Sequence, residues 1–174
     1  MEPDHTNDTH AEKEIERLLR SLGSACSDFA DNEAQMHRPN TKRITRLFAG
    51  WFMGFNPLAA NPSHQAFLTE VERIIAELVS VLEKTEPRHP AASTGDAARA
   101  VAILLSPKPA REKTSVDWTL TAAEYQVVRL LPYLASDELK STRAMLLKRT
   151  PKRLMFPKQL ELIKTIDKGL SRND

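Results

Sequence analysis

Between Phe67 and Leu82 the chain repeats one pattern for more than four turns. Phe67, Leu68, Val71, Ile74, Ile75, Leu78, Val81 and Leu82 are apolar, while Glu70, Glu72, Arg73, Glu77 and Glu83 fall between them. Three apolar positions in seven is the period of a helix that buries one face. Such a face must be covered by others like it, so this one feature asks for packed helices. A heptad can be written over it, but too briefly for an extended coiled coil.

Other segments supply covering faces. Thr9-His10-Ala11-Glu12 has the spacing of a capping box, in which hydroxyl and carboxylate each satisfy a backbone N–H. A helix is therefore predicted from Thr9, with Ile15, Leu18, Leu19, Leu22, Cys26 and Phe29 on one face, interrupted by Gly23. Residues 1–8 are polar and aperiodic and read as a disordered tail. Ile44, Leu47, Phe48, Trp51 and Phe55 recur at i, i+3, i+4, i+7 and i+11, a narrow arc of a further helix. Asn61-Pro62 supplies a cap and a first-turn proline for the Phe67–Leu82 helix.

Downstream, Asp96 is positioned to cap a short helix that ends at Leu105, ahead of Pro107 and Pro109. Thr121-Ala122-Ala123-Glu124 forms a second capping box, opening a helix with Tyr125, Val127, Val128, Leu131 and Leu134, which Pro132 should kink or end. Ser136 caps another, with Asp137 and Glu138 in its first turn and Lys148 and Arg149 in its last, as the helix dipole favours. Pro157 begins the final helix, with Leu160, Ile163, Ile166 and Leu170 expected inward.

No β-alternation and no internal repeat is present. Aromatics at 6% and five glycines in 174 residues suit helices better than sheets. The expectation is an all-α, irregular helical bundle of about six or seven helices. An N-terminal bundle covers 9–85, a proline-rich linker covers 86–95, and a basic helical unit covers 96–174, either separate or packed with the first as one domain.

Familiar chemistries leave no trace. Gly23, Gly50, Gly54, Gly95 and Gly169 are too far apart for a P-loop or a dinucleotide fingerprint. His5, His10, His37, His64 and His89 contain no i, i+4 pair to hold a metal from one helix face. Cys26 has no second cysteine to pair with and lies on an apolar stripe, where it reads as a small buried hydrophobe. No catalytic, cofactor or metal residues are assigned, and no enzymatic activity is expected. The longest apolar run, Ala100 to Leu105, is far below the ~20 residues a transmembrane helix needs. With no secretory signal pattern, the expected location is cytoplasmic.

Two segments carry binding expectations. Lys42, Arg43 and Arg46 precede the aromatic cluster of Phe48, Trp51, Phe52 and Phe55, and cations at a helix start oppose the dipole unless something compensates. Part of this segment can complete the bundle core. Phe52 and Met53 fall outside the narrow stripe, and aromatics and Met beside Arg are the mixture enriched at interfaces. Trp51, Phe52, Met53 and Phe55 are the candidate partner-binding residues, for a protein partner or self-association; a membrane-surface helix ranks below these.

The second segment is the basic end. Met1 to Met36 holds nine acids and three bases, whereas Lys140 to Arg172 holds ten bases and two acids, Glu161 and Asp167. Such asymmetry suits either an anionic partner or pairing between the two ends, and the plainer reading is a solvated face. Lys148, Arg149, Lys152, Arg153 and Lys158 are the candidate phosphate-binding residues. Leu120 to Leu131, LTAAEYQVVRLL, resembles the first helix of some bacterial helix-turn-helix regulators; the tight glycine turn and polar second helix of that motif do not follow, and no family is assigned. The functional expectation is a non-catalytic regulatory or adaptor protein acting through helix-mediated contacts, with a nucleic-acid-binding regulator as the alternative.

Overall fold

The computed structural model describes residues 5–36, 62–85, 92–107, 115–149 and 157–171, together with 88 and 90. Six α-helices are present among them: α1 (His5–Met36), α2 (Pro62–Thr85), α3 (Asp96–Leu104), α4 (Ser115–Glu124), α5 (Ser136–Arg149) and α6 (Pro157–Leu170). Two short 3-10 segments, Tyr125–Arg129 and Leu131–Tyr133, join α4 to α5. The described residues contain no strand, and the fold is all-α.

α1 and α2 are antiparallel. Arg17 meets Glu77 at 3.3 Å, and twelve residues further along α1 the Phe29 ring stacks on Phe67 at 4.2 Å. The two expected stripes are buried along this pair: Leu18, Leu22, Ile74, Ile75, Leu78 and Leu82 are fully buried. Removing such side chains from water is worth ~1.5–3 kcal/mol each and needs no directional contact. Charged partners lie outside the seam, where Arg17 bridges Glu14 and Glu77 and Arg73 bridges Glu70 and Glu77. α3 lies across α1, with Arg99 pairing with Glu16 at 2.5 Å.

α5 and α6 form a second antiparallel pair. Arg143 Nε donates to Asp167 Oδ1 at 2.5 Å, and a methyl on Gly169 would meet Leu139 Cδ1 at 3.8 Å. α6 packs on α4 and its 3-10 extension and α5 packs on α3, and Leu139, Leu146, Leu162, Ile163 and Ile166 are buried. Buried side chains from all six helices belong to one apolar cluster, on both sides of the 86–95 connector. Within that connector Pro90 is buried, and Ser93 Oγ donates to Glu138 Oε1 at 2.6 Å. The same carboxylate accepts the Ala135 N–H at 2.8 Å and so closes the N-terminus of α5.

Several helix boundaries differ from the sequence reading. α1 starts at His5, so Thr9 lies inside it and is not its cap. α3 is capped at Gly95, whose φ of 84° is open to glycine at little cost, and Asp96 is the first helical residue. Ser136 is likewise the first residue of α5, one position inside the cap at Ala135. The largest correction concerns Thr121–Glu124. Helix α4 ends at Glu124, where the capping box was expected to begin one, and Tyr125 to Arg129 tightens to 3-10. The reason is the destination of the Glu124 carboxylate, which faces α5 and α6. On α6 the expected inward face is also rotated: Ile163 and Ile166 are buried, but Leu160 is 36% exposed, and Gln159 and Leu162 are buried instead.

Candidate functional site

The described residues hold a polar cluster where α4, α5 and α6 converge. Glu124 lies on the last turn of α4 beside Leu120, Ala123 and Val127, an apolar surface that carries it inward to 1% exposure. Its Oε1 accepts a 2.5 Å hydrogen bond from Arg149 Nη2, and its Oε2 accepts one of 2.9 Å from Gln159 Nε2. Arg149 Nη2 also donates to the Pro107 carbonyl at 2.5 Å, tying in the chain that follows α3. The Arg149 side chain is 13% exposed. Burial pushes its pKa down, opposed by the Glu124 charge. Nε and Nη1 of Arg149 are buried without an acceptor among the described residues. Buried charges require a partner, and this pair supplies it.

A second buried polar contact lies midway along α4. His64 Nδ1 and Thr119 Oγ1, both fully buried, share a 2.7 Å hydrogen bond. The Phe29 ring meets the His64 ring edge-on at 5.2 Å and 78°. This contact joins α1, α2 and α4 at the end of the α1–α2 pair from which residues 37–61 depart. Cys26 is buried, and burial pushes its thiol up to about 11. A thiol so protonated is a poor nucleophile at neutral pH.

The five candidate phosphate-binding residues separate. Lys148 is exposed at the end of α5. Arg149 turns inward onto Glu124. Lys158 is exposed, with its ammonium 5.3 Å from the centroid of the Tyr125 ring, whose hydroxyl is raised in pKa chiefly by a hydrogen bond to Glu161. Lys152 and Arg153 lie outside the described residues. The antiparallel pairing brings Lys148 and Lys158 to the same end of the α5–α6 hairpin, the end that residues 150–156 connect. Of the other cations on these helices, Arg143 is paired with Asp167, and Lys140 lies 3.5 Å from Asp137. The candidate partner-binding residues Trp51, Phe52, Met53 and Phe55 also lie outside the described residues.

Among the described residues no group of three or more His, Cys, Asp or Glu side chains is arranged to hold a metal, and no helix is long and apolar enough to cross a membrane. A groove along α1, lined by Glu12, Lys13, Glu16, Arg17, Arg20 and Ser21, presents mixed charge from a single helix. No protein-family model, no curated protein and no solved structure matches the chain.

Sequence reasoning missed Glu124, Gln159, His64 and Thr119 as interior polar groups. For Glu124 a signal was available, since Leu120, Ala123 and Val127 at i, i+3 and i+7 put position 124 beside an apolar stripe. The same signal was available for His64, with Phe67, Leu68 and Val71 at i+3, i+4 and i+7, and for Gln159, with Leu162, Ile163 and Ile166 at the same spacing.

Proposed function

We propose that the chain is a non-catalytic helical adaptor or regulator whose partner contacts come from the segment around Trp51, Phe52, Met53 and Phe55. The observation that carries this reading is topological. Residues 37–61 join two helices whose shared seam is apolar, buried and anchored at the exit by the Phe29, Phe67 and His64 rings. A rigid base at both ends of an aromatic segment lowers the ordering cost of presenting it. The buried polar groups support the same reading, because Arg149 and Gln159 each donate to Glu124 and His64 bonds to Thr119. These groups act as structural links between helices.

The test places a photo-reactive residue at position 52 of the full chain. A dominant cross-link to another protein or to a second copy, lost in Trp51→Ala while helical circular dichroism is retained, is the expected result. Cross-links confined to the α1–α2 seam of the same molecule would make Phe52 core and end this reading.

A second reading is favoured by the α5–α6 hairpin. Its pairing gathers exposed Lys148 and Lys158 at one end, contiguous in sequence with Lys152 and Arg153. An anionic polymer, nucleic acid in particular, would be met there through phosphates. Binding to mixed-sequence duplex DNA should then fall steeply with salt and weaken in Lys148→Glu/Lys158→Glu. Affinity indifferent to both would remove it.

A further inference from the structure

Arg149 is the candidate phosphate contact that the fold turns inward, and its environment is uneven. Nη2 donates twice, to Glu124 and to the Pro107 carbonyl, while Nε and Nη1 are buried without an acceptor among the described residues. A buried donor left unmet is costly, whereas water or a phosphate would satisfy all three nitrogens. Arg149 is also the last residue of α5, where the chain leaves the helix, and its neighbour Lys148 is exposed. If the pair parted, the Gln159 amide would remain on the other Glu124 oxygen.

We propose that Glu124 is a latch that withholds Arg149 from the cationic end of the α5–α6 hairpin, and that its release adds a guanidinium to Lys148 and Lys158 against a nucleic-acid backbone. This rests on the second reading above. Charge complementarity names the occupant: two exposed ammonium groups offer point charges, and a guanidinium adds the planar fork that grips phosphate by two hydrogen bonds. In the latched form Glu124 neutralises that fork. A polymer that meets Arg149 only when unlatched shifts the equilibrium toward the open form by its differential affinity.

The Arg149 Nε–H resonance of the 15N-labelled full chain, identified by its loss in Arg149→Lys, reports the latch directly. Slow exchange with water is expected in the wild type, and fast exchange in Glu124→Gln and in wild type saturated with a short mixed-sequence DNA duplex. In parallel, Glu124→Gln should bind that duplex several-fold more tightly, with the same slope of log affinity against log salt, since Arg149 meets phosphate in both complexes. Adding Arg149→Met to Glu124→Gln should cancel that gain and make the slope shallower by about 0.9. Wild type that binds DNA while Glu124→Gln binds no tighter overturns the latch and leaves the second reading standing. Absence of DNA binding by either protein overturns both. Should Glu124→Gln fail to fold, the wild-type exchange experiment decides, and an Arg149 Nε–H unchanged at saturating DNA overturns the latch.

Discussion

The two antiparallel pairs of this molecule are held by different physics. Between α1 and α2 the seam is apolar and the ion pairs lie outside it, with Arg73 and Arg17 each about half exposed. Where α5 and α6 meet α4, an ion pair lies inside, with Glu124 at 2% and Arg149 at 13% side-chain exposure. Apolar area is non-directional, so it holds two helices together without demanding one particular atom opposite another. A buried carboxylate tolerates few arrangements, because leaving its charge unpaired costs far more than a lost methylene. The N-terminal pair is thus specified by pattern and the C-terminal pair by point contacts.

The sharpest way to break this contrast is Glu124→Ala. It removes the counter-charge of Arg149 and should lower stability in urea denaturation, by as much as about 3–5 kcal/mol where the guanidinium stays buried and by less where it swings out to water. Glu124→Leu/Arg149→Met should recover most of that loss. A cost no larger than that of an exposed ion pair would mean the cluster does not specify the C-terminal pair. Leu78→Ala, in the apolar seam, should follow at about 2–5 kcal/mol, with a midpoint shift that no second substitution at a charged residue repairs.

Cys26 probes the N-terminal seam by pH. Burial raises the folded thiol from 9.0 to about 11, so the folded chain keeps the proton that the unfolded chain releases. Stability from this group is fully present below pH 9 and is lost as pH rises toward 11, by roughly 2–3 kcal/mol in all. That alkaline slope should be absent from Cys26→Ala, and its persistence there would assign it to another group.

Glu138→Ala removes the carboxylate that caps α5 and holds Ser93, and a loss of about 1 kcal/mol is expected. The smallest effect belongs to the outer face of the N-terminal pair. Arg73 lowers the pKa of Glu70 chiefly by hydrogen bonding, yet both are exposed, so Arg73→Ala should leave the urea midpoint unchanged in high salt. A clear shift there would show that charge, and not the apolar seam alone, specifies α1–α2.

The stripes of α1 and α2 were legible residue by residue because a long period-3.6 pattern has one face to bury, and Ile15 to Phe29 and Phe67 to Leu82 bury it. Shorter elements were less so. On α6, Leu160 at 36% exposure gives way to Gln159 and Leu162, since four turns carry apolar residues over a wide arc and the Glu124 contact selects the roll. Glu124 itself was misread because Thr-x-x-Glu is satisfied locally by a cap and non-locally by an arginine 25 residues away. Local spacing does not distinguish the two. The five candidate phosphate residues met the same limit, for Arg149 and Lys148 are neighbours in sequence with opposite environments.

Amino-acid order by itself determined the all-α class, the apolar faces of the two longest helices and the burial of Cys26, because these follow from periodicity and from apolar area that any complementary face can cover. Tertiary structure alone decided which charges are internal, how α6 is rolled and where α4 stops. Those outcomes depend on groups distant in the chain meeting within hydrogen-bond reach, and hydrogen-bond partners, unlike apolar ones, are not interchangeable.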